Sequence, residues 1–218
     1  MELLQAWFIG YLFGSIPFGL LLAWMAGKGD IRNIGSGNIG ATNVLRTGSK
    51  WLAAATLLLD FWKGLVPVIL AGTIWWTVSA FSQPLGMAPI SLFGTELGRW
   101  GIPEAAAALG AVMGHCFPIW LKFKGGKGVA TNAGVCFGLA WQIGLVYAFV
   151  WIAFLAIFRV SSVAGMSAVV AAALAAWWLG FPHFVPVLTV IAILVIWLHR
   201  ENIKRLAAGT EPKVGSKG

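Results

Sequence analysis

VATNAGVCFGLAWQIGLVYAFVWIAFLAIF, residues 129–158, is the stretch that decides the fold. A helix needs about 20 apolar residues to cross the hydrocarbon core of a bilayer. This mostly apolar stretch is longer than that, and Gln142 and Gly144 interrupt it. It is therefore either one long helix or two shorter ones. The choice determines on which side of a membrane everything after it lies.

The composition excludes the soluble globular classes. Of the 218 residues, 59% are hydrophobic and 10% are charged, whereas soluble domains carry about a quarter charged residues. Since lipid cannot satisfy free backbone groups, the chain is predicted to be an all-α integral membrane protein. No linker divides it, so residues 1–218 form one predicted domain. The net charge of +8 is spread over short loops, which argues against nucleic acid as a partner.

The rest of the chain contains five other apolar runs of membrane-spanning length. Three of them precede the central stretch: Leu3–Ala26, Trp51–Val78, and Glu104 to about Trp120. Two follow it: Val163–Gly180 and Phe184–Leu198. In the first run, Gly14, Ser15 and Pro17 predict a kink. A mixed loop, Ser79–Pro103, follows the second run, with Arg99 as its only cation. We expect this loop to lie on the outer face.

The positions of the cations choose between one helix and two. A single helix over residues 129–158 would place Arg159 on the face opposite Lys127. The alternative is two helices, the first to about Trp141 and the second from about Ile143. This division places 13 of the 15 Lys and Arg residues on one face. The two exceptions are Lys63, which lies within a span, and Arg99. By the positive-inside rule, we predict seven transmembrane helices with the N-terminus outside and the C-terminus cytoplasmic.

The first polar cluster is GSGNIGATNVLR, residues 35–46. Its G-x-G-x-x-G is rejected as a dinucleotide fingerprint, because that motif has meaning only between a strand and a helix. A Gly-rich loop still offers approachable N–H groups, and an arginine can clamp an oxyanion. The alternative is an ordinary solvated turn. The candidate binding residues here are Ser36, Asn38, Thr42, Asn43 and Arg46.

The second cluster is GHCFPIWLKFKGGKGVATN, residues 114–132. Its GGKG, Gly125–Gly128, is not a Walker A loop, but it places Lys127 between glycines just before a helix begins. Backbone donors, a cation and a helix N-terminus are predicted to converge there on a phosphate, with Gly125, Gly126 and Gly128 contributing. The alternative is that the lysines only fix topology. His115 is expected to shape the end of the preceding helix, and the alternative is a direct role in the site.

The third cluster is HRENIKRLAAGTEPK, residues 199–213. On a continuing helix His199 and Asn202 share one face, and Arg200 lies on another. Histidine suits proton transfer near neutral pH. The alternative is a basic tail that binds anionic lipid. Ser161 and Ser162 begin a later helix, where either one caps the helix or donates to an anion.

The acidic residues do not suggest a metal or another cofactor. Asp30, Glu201 and Glu211 form no recognisable carboxylate set, so none is predicted. Asp60 and Lys63, three apart within the second span, are predicted to form a structural ion pair because an unpaired charge there is costly.

Together the three clusters, with LLDFWKG in the second span, resemble those of the bacterial membrane acyl-phosphate:glycerol-3-phosphate acyltransferases. The resemblance covers nearly the whole chain. It implies seven helices in the bacterial inner membrane, an active site facing the cytoplasm, and phospholipid biosynthesis. The implied reaction acylates the sn-1 hydroxyl of glycerol 3-phosphate with an acyl phosphate and yields lysophosphatidic acid. One chain is expected to suffice, although the oligomeric state stays open.

The resemblance also implies roles for the candidate residues in a direct transfer without an acyl-enzyme. The donor phosphate is expected to be surrounded by Ser36, Gly125, Gly126 and either Ser161 or Ser162, and Lys127 is expected between the two phosphates. The acceptor is expected to be held by Arg46 and Asn43, and its hydroxyl to be oriented by His199 and Asn202. The base is either His199 or the acceptor's phosphate. The alternative function, a transporter or channel for organic phosphate anions, predicts polar residues along the spans and an internal repeat.

Overall fold

The structure, a computed structural model, describes residues 3–82 and 101–215. In this part of the chain the regular secondary structure is helical, with short 3-10 turns at Ile31–Asn33, Ile119–Leu121 and Pro182–Phe184. The helices are α1 (Leu3–Gly14), α2 (Phe18–Met25), α3 (Ala41–Leu45), α4 (Lys50–Ser82), α5 (Ile102–Cys116), α6 (Val129–Leu139), α7 (Trp141–Phe158), α8 (Ser161–Trp178), α9 (Val185–Leu198) and α10 (Arg200–Ala207).

Five segments among the described residues are long and apolar enough to cross a membrane. They are Leu3–Met25, Lys50–Ile74, Ile102–Leu121, Trp141–Phe158 and Ser161–Trp178. Pro182–Leu198 and α10, which are bent by 57° relative to each other, count as a sixth if the pair forms one span. Helix α6 has 11 residues and rises about 16 Å, less than the roughly 30 Å of the hydrocarbon core. The all-helical membrane architecture is confirmed.

The central stretch divides into two helices, as predicted. Ala140 has extended backbone angles, φ −161° and ψ 126°, which end α6 and precede α7. Helix α7 begins at Trp141, two residues before the predicted start. Lys127 before the pair and Ser161 after it line the same cavity. The chain therefore leaves this end of the bundle on α6 and returns on α7.

The first span is interrupted where the kink was predicted. Helix α1 ends at Gly14 and α2 begins at Phe18, with Pro17 between them. A broken helix exposes carbonyl groups that lipid cannot satisfy. Lys63 of α4 donates to the Ile16 carbonyl at 2.8 Å, and its Nζ lies 2.7 Å from Asp60 Oδ1. The predicted ion pair is confirmed, and it also braces the interruption.

Glycines let the helices approach at backbone distance. A Cβ at Gly10 of α1 would collide with the carbonyl of Ala107 in α5, and one at Gly64 of α4 would collide with the carbonyl of Thr131 in α6. Close contact of this kind replaces the hydrophobic driving force, which is absent between helices in lipid. Helix α5 packs against α1, α4, α6 and α9, so it forms the centre of the bundle.

Two boundary predictions are corrected. Helix α4 continues to Ser82, and Pro103 stands in the first turn of α5, where its missing N–H costs nothing. Residues 83–100 of the predicted outer loop, with Arg99, lie outside the described residues. The expected continuing helix after the last span is wrong, because α9 ends at Leu198 and α10 begins at Arg200 after the 57° turn.

Candidate active site

One cavity of about 870 Å³ joins the three polar clusters. It lies where α6 and α8 begin and where α9 gives way to α10. The sequence predicts fourteen candidate residues, and eleven of them, from the three clusters and from the Ser161–Ser162 pair, line this cavity. The predicted residues on the wall are Ser36, Asn38, Thr42, Asn43, Arg46, Lys127, Gly128, Ser161, Ser162, His199 and Asn202.

The first loop is organised by Asn43, which is 1% exposed. Its Nδ2 donates to the carbonyls of Ile31 and Asn38 at 2.7 and 2.8 Å, and its Oδ1 accepts from the Ser36 N–H at 3.1 Å. Because these bonds lie within the loop, Asn43 shapes the site. It does not offer a free amide to a ligand, which corrects its expected role as an acceptor-binding group.

Arg46 lies where Gly35 leaves room for it. The Arg46 Nη1 is 3.4 Å from Asn43 Oδ1, and a Cβ at Gly35 would fall 2.6 Å from both Arg46 Cδ and Asn43 Oδ1. Gly35 also has φ +54°, which disfavours a side chain there. The glycine therefore admits the guanidinium to the cavity wall.

The second loop differs from its prediction at Gly125 and Gly126. Neither glycine is on the cavity wall. The Gly125 N–H donates to the Cys116 carbonyl and the Gly126 N–H to the His115 carbonyl, both at 3.0 Å. These donors are already used inside the protein, so the expected backbone cradle for the donor phosphate is not formed by them. Gly128 is on the wall and directly precedes α6 as its N-cap residue, with φ +81°.

Lys127 brings the cation of this loop to the cavity. Its Nζ donates to Asn202 Oδ1, so the second and third clusters are joined directly. Burial lowers the pKa of Lys127 below its ordinary value of 10.5, and the nearby Arg205 guanidinium lowers it further. Several cations thus lie near Lys127, partly offset by the Glu211 carboxylate, and such an environment favours anions.

Glu211 holds the third cluster together. Its Oε1 accepts from Ser162 Oγ at 2.7 Å and from Asn202 Nδ2 at 2.6 Å, and its Oε2 accepts from Arg205 Nε at 2.7 Å. Burial alone would raise the pKa of Glu211, but these three hydrogen bonds outweigh it and hold the pKa below 4.5. The ionised carboxylate fixes the Asn202 amide with its oxygen toward Lys127.

His199 is buried at the turn between α9 and α10. Its Nδ1 is 2.7 Å from the Val195 carbonyl, which can only accept, so Nδ1 carries the proton. Burial lowers the pKa of His199 to about 4, although the bond to Val195 opposes that shift. At neutral pH the ring is uncharged, and Nε2 carries a lone pair.

A third predicted binding residue, besides Gly125 and Gly126, is not brought to the site. Arg200 is exposed, and its guanidinium lies 4.6 Å from the centre of the Trp197 ring, on which it stacks. It is not part of the cavity wall, because the turn after Leu198 directs it away.

Sequence reasoning missed several wall residues. Arg205 lies one helical turn after Asn202, a spacing that would have found it. The last described segment, residues 209–215, returns across the cavity, and the Val214 N–H donates to the Arg159 carbonyl at 2.6 Å. Sequence patterns give no signal for that return. Asp60 and His115 also reach the wall.

The chain matches a family model described as glycerol-3-phosphate acyltransferase over residues 4–209. It is 64% identical to a glycerol-3-phosphate acyltransferase of Erythrobacter litoralis, over 96% of this chain and 93% of the relative. It is also 50% identical to one of Mesorhizobium japonicum, over 99% and 98% of the two chains.

Two solved structures share the fold. Both are of PlsY (YgiH), described as an integral membrane glycerol 3-phosphate acyltransferase. The glycerol 3-phosphate form has a TM-score of 0.81 and 34% identity, covering 98% of this chain and 96% of that one. The lysophosphatidic acid form has a TM-score of 0.79 and 33% identity, covering 98% and 95%.

Proposed function

The chain belongs to the glycerol-3-phosphate acyltransferase family, and on that premise we propose that it acylates the sn-1 hydroxyl of glycerol 3-phosphate from an acyl phosphate. The products are lysophosphatidic acid and inorganic phosphate, in the first step of phospholipid synthesis. The observation that carries the donor proposal is the convergence of Arg46, Lys127 and Arg205 on one cavity. Both substrates of this reaction carry a phosphate, so two dianionic groups must be neutralised together.

Direct transfer fits the side chains of the cavity. The hydroxyl oxygen of the acceptor attacks the carbonyl carbon of the acyl phosphate, a C–O bond forms, and the bond between that carbon and the phosphate oxygen breaks. The hydroxyl proton passes to His199 Nε2 or to the acceptor's phosphate, and phosphate leaves with the bonding electron pair. An acyl phosphate is already activated, so positioning and charge stabilisation supply most of the catalysis.

Two of the three serines on the cavity wall, Ser36 and Ser162, favour this route over an acyl-enzyme. Ser36 Oγ is bonded to Asn43 Oδ1 at 3.3 Å, and Ser162 Oγ donates to Glu211. Neither bond offers the imidazole partner that activates a serine nucleophile. We therefore assign Ser36 and Ser162 to binding, with Lys127 between the two phosphates and His199 and Asn202 at the attacking hydroxyl.

The apolar part of the wall suits the acyl chain. Leu57, Val129 and Trp151 line the cavity on α4, α6 and α7, which are among the helices long or apolar enough to contact lipid. We place this cavity on the cytoplasmic face of the bacterial inner membrane, in a single seven-span domain with the N-terminus outside. The positive-inside rule and the basic residues around the cavity support that orientation.

The decisive assay uses purified protein in detergent with palmitoyl phosphate and radiolabelled glycerol 3-phosphate. Acyl-CoA and acyl carrier protein conjugates replace the donor in parallel reactions. Lysophosphatidic acid formed from palmitoyl phosphate, and not from the thioesters, supports the proposal. Product from a thioester alone overturns the donor assignment. Counterflow of labelled glycerol 3-phosphate in vesicles without acylation supports the transport alternative.

A further inference from the structure

His115 lies under the second loop, outside the groups that we assign to the reaction. It is 3% exposed in the last turn of α5. Its Nδ1 faces Asp60 Oδ1 at 3.8 Å, too far for a hydrogen bond, and has no hydrogen-bond partner among the described residues. A buried polar ring with an unused nitrogen is costly to keep, so its position calls for a reason beyond packing.

The other edge of the ring meets Gly126. A Cβ built on Gly126 would overlap His115 Nε2 and would lie 2.7 and 2.8 Å from Cε1 and Cδ2 of the same ring. These ring atoms are its three nearest neighbours. Gly126 does not have a left-handed φ, so its backbone suits alanine. The imidazole is therefore what a side chain at this position would meet first.

Gly125 provides a contrast within the same loop. A Cβ there would collide with the backbone carbonyl of His115, and it would lie 2.5 Å from Pro118 Cδ and 2.7 Å from the Cys116 carbonyl oxygen. None of these atoms belongs to the imidazole. Removal of the ring therefore makes room at Gly126 and makes none at Gly125.

We propose that the His115 imidazole is a positioning residue of the acyl transfer, on which Gly126 rests so that the next residue, Lys127, reaches Asn202. The proposal rests on the proposed function for Lys127. The ring lies between Asp60 on one side and Gly126 on the other. The position of the ring sets the distance between the second loop and α5. A displaced loop moves the Lys127 ammonium relative to both phosphates, and misplacement of this kind slows catalysis without unfolding the protein.

A double-mutant cycle tests the contact. Gly126→Ala in the native background is expected to lower kcat/KM for glycerol 3-phosphate by about 10-fold, because the new methyl group pushes against the ring. In the His115→Ala background the same change is expected to cost less than about 2-fold, since contacting residues are non-additive. Gly125→Ala is the matched control, with an equal cost in both backgrounds. Equal costs for Gly126→Ala in both backgrounds overturn the proposal.

Two further measurements separate positioning from folding and from the reaction itself. His115→Asn serves as a second background if His115→Ala does not fold. Binding of radiolabelled glycerol 3-phosphate and the melting temperature are measured for every variant. If the wild-type protein shows no acyl transfer, the proposed function fails. The double-mutant cycle is then evaluated with the dissociation constants for glycerol 3-phosphate. Non-additive effects of Gly126→Ala and His115→Ala on binding still favour a positioning role for His115, and additive effects overturn it.

Discussion

The two glycine-rich loops of the cavity look alike in sequence and use their glycines differently. In the first loop, Gly35 makes room for a side chain, the Arg46 guanidinium, which reaches the cavity wall. In the second loop, Gly125 and Gly126 allow the loop to pack closely against the end of α5, where a side chain would collide with backbone carbonyls and with the His115 imidazole. Glycines beside a cation are therefore not by themselves a backbone cradle for phosphate.

The loops also differ in what holds their cation. Arg46 is oriented by Asn43 of its own loop, at 3.4 Å. Lys127 is oriented by Asn202, which lies 75 residues later and is fixed in turn by Glu211. The cation of the first loop is oriented by a residue of the same loop, whereas the cation of the second loop is oriented by residues from a distant part of the chain. Substitutions can test that difference.

The largest effect is expected at Lys127. Lys127→Ala removes the cation that the second loop contributes, and we expect a loss of about 10³-fold in kcat with correctly folded protein. Lys124→Ala, an exposed lysine of the same loop, is the control and is expected to change kcat by less than about 2-fold. A near-normal rate for Lys127→Ala in the radiolabel assay contradicts its place between the phosphates.

The first loop is tested by Gly35→Ala, with an expected loss of about 10²-fold in kcat/KM. The Cβ would displace Arg46 and Asn43, and the positive φ adds strain. Gly48→Ala is the matched control, since Gly48 also has a positive φ, +84°, a Cβ there has open space, and Gly48 is not on the cavity wall. Steady-state kinetics of both variants check this. Equal losses at the two glycines would show that backbone strain, and not displacement of Arg46, lowers the rate.

The dependence of Lys127 on the third cluster is tested by Glu211→Gln. Glutamine keeps the shape but loses the charge that accepts from Ser162, Asn202 and Arg205, and we expect about a 10-fold lower kcat/KM. Glu201→Gln, which breaks an exposed pair with Lys204, is expected to stay within about 2-fold. Crystal structures of the two variants would show whether Asn202 turns away from Lys127. An unmoved Asn202 with full activity contradicts the dependence.

The smallest effect concerns pH. Since the pKa of His199 is lowered to about 4, the imidazole stays neutral as pH falls from 8 to 6 and protonates only on further acidification. Protonation of His199 should therefore change kcat by less than about 2-fold over that range. Nitrogen NMR of labelled histidine, assigned with His199→Asn, measures the titration directly. A midpoint near the ordinary 6.5 refutes the buried, neutral ring.

Much of the fold and part of the site could be predicted from sequence. Apolar length and the placement of cations predicted the long apolar helices and the division of residues 129–158, because both depend on local composition. Side chains such as Arg46, Lys127 and His199 were predicted because their chemistry is intrinsic. The roles of Asn43 and Arg200 were not, since they depend on which neighbour takes each hydrogen bond or ring face.

The sequence by itself determined a helical membrane protein with three polar clusters and a family membership. Only the tertiary structure decided that Gly125 and Gly126 face α5, that Glu211 returns to organise Ser162 and Asn202, and that the His115 imidazole lies against Gly126. The physical reason is range. Hydrophobicity and charge act residue by residue along the chain, whereas a hydrogen bond or a steric contact exists only between atoms that folding brings together.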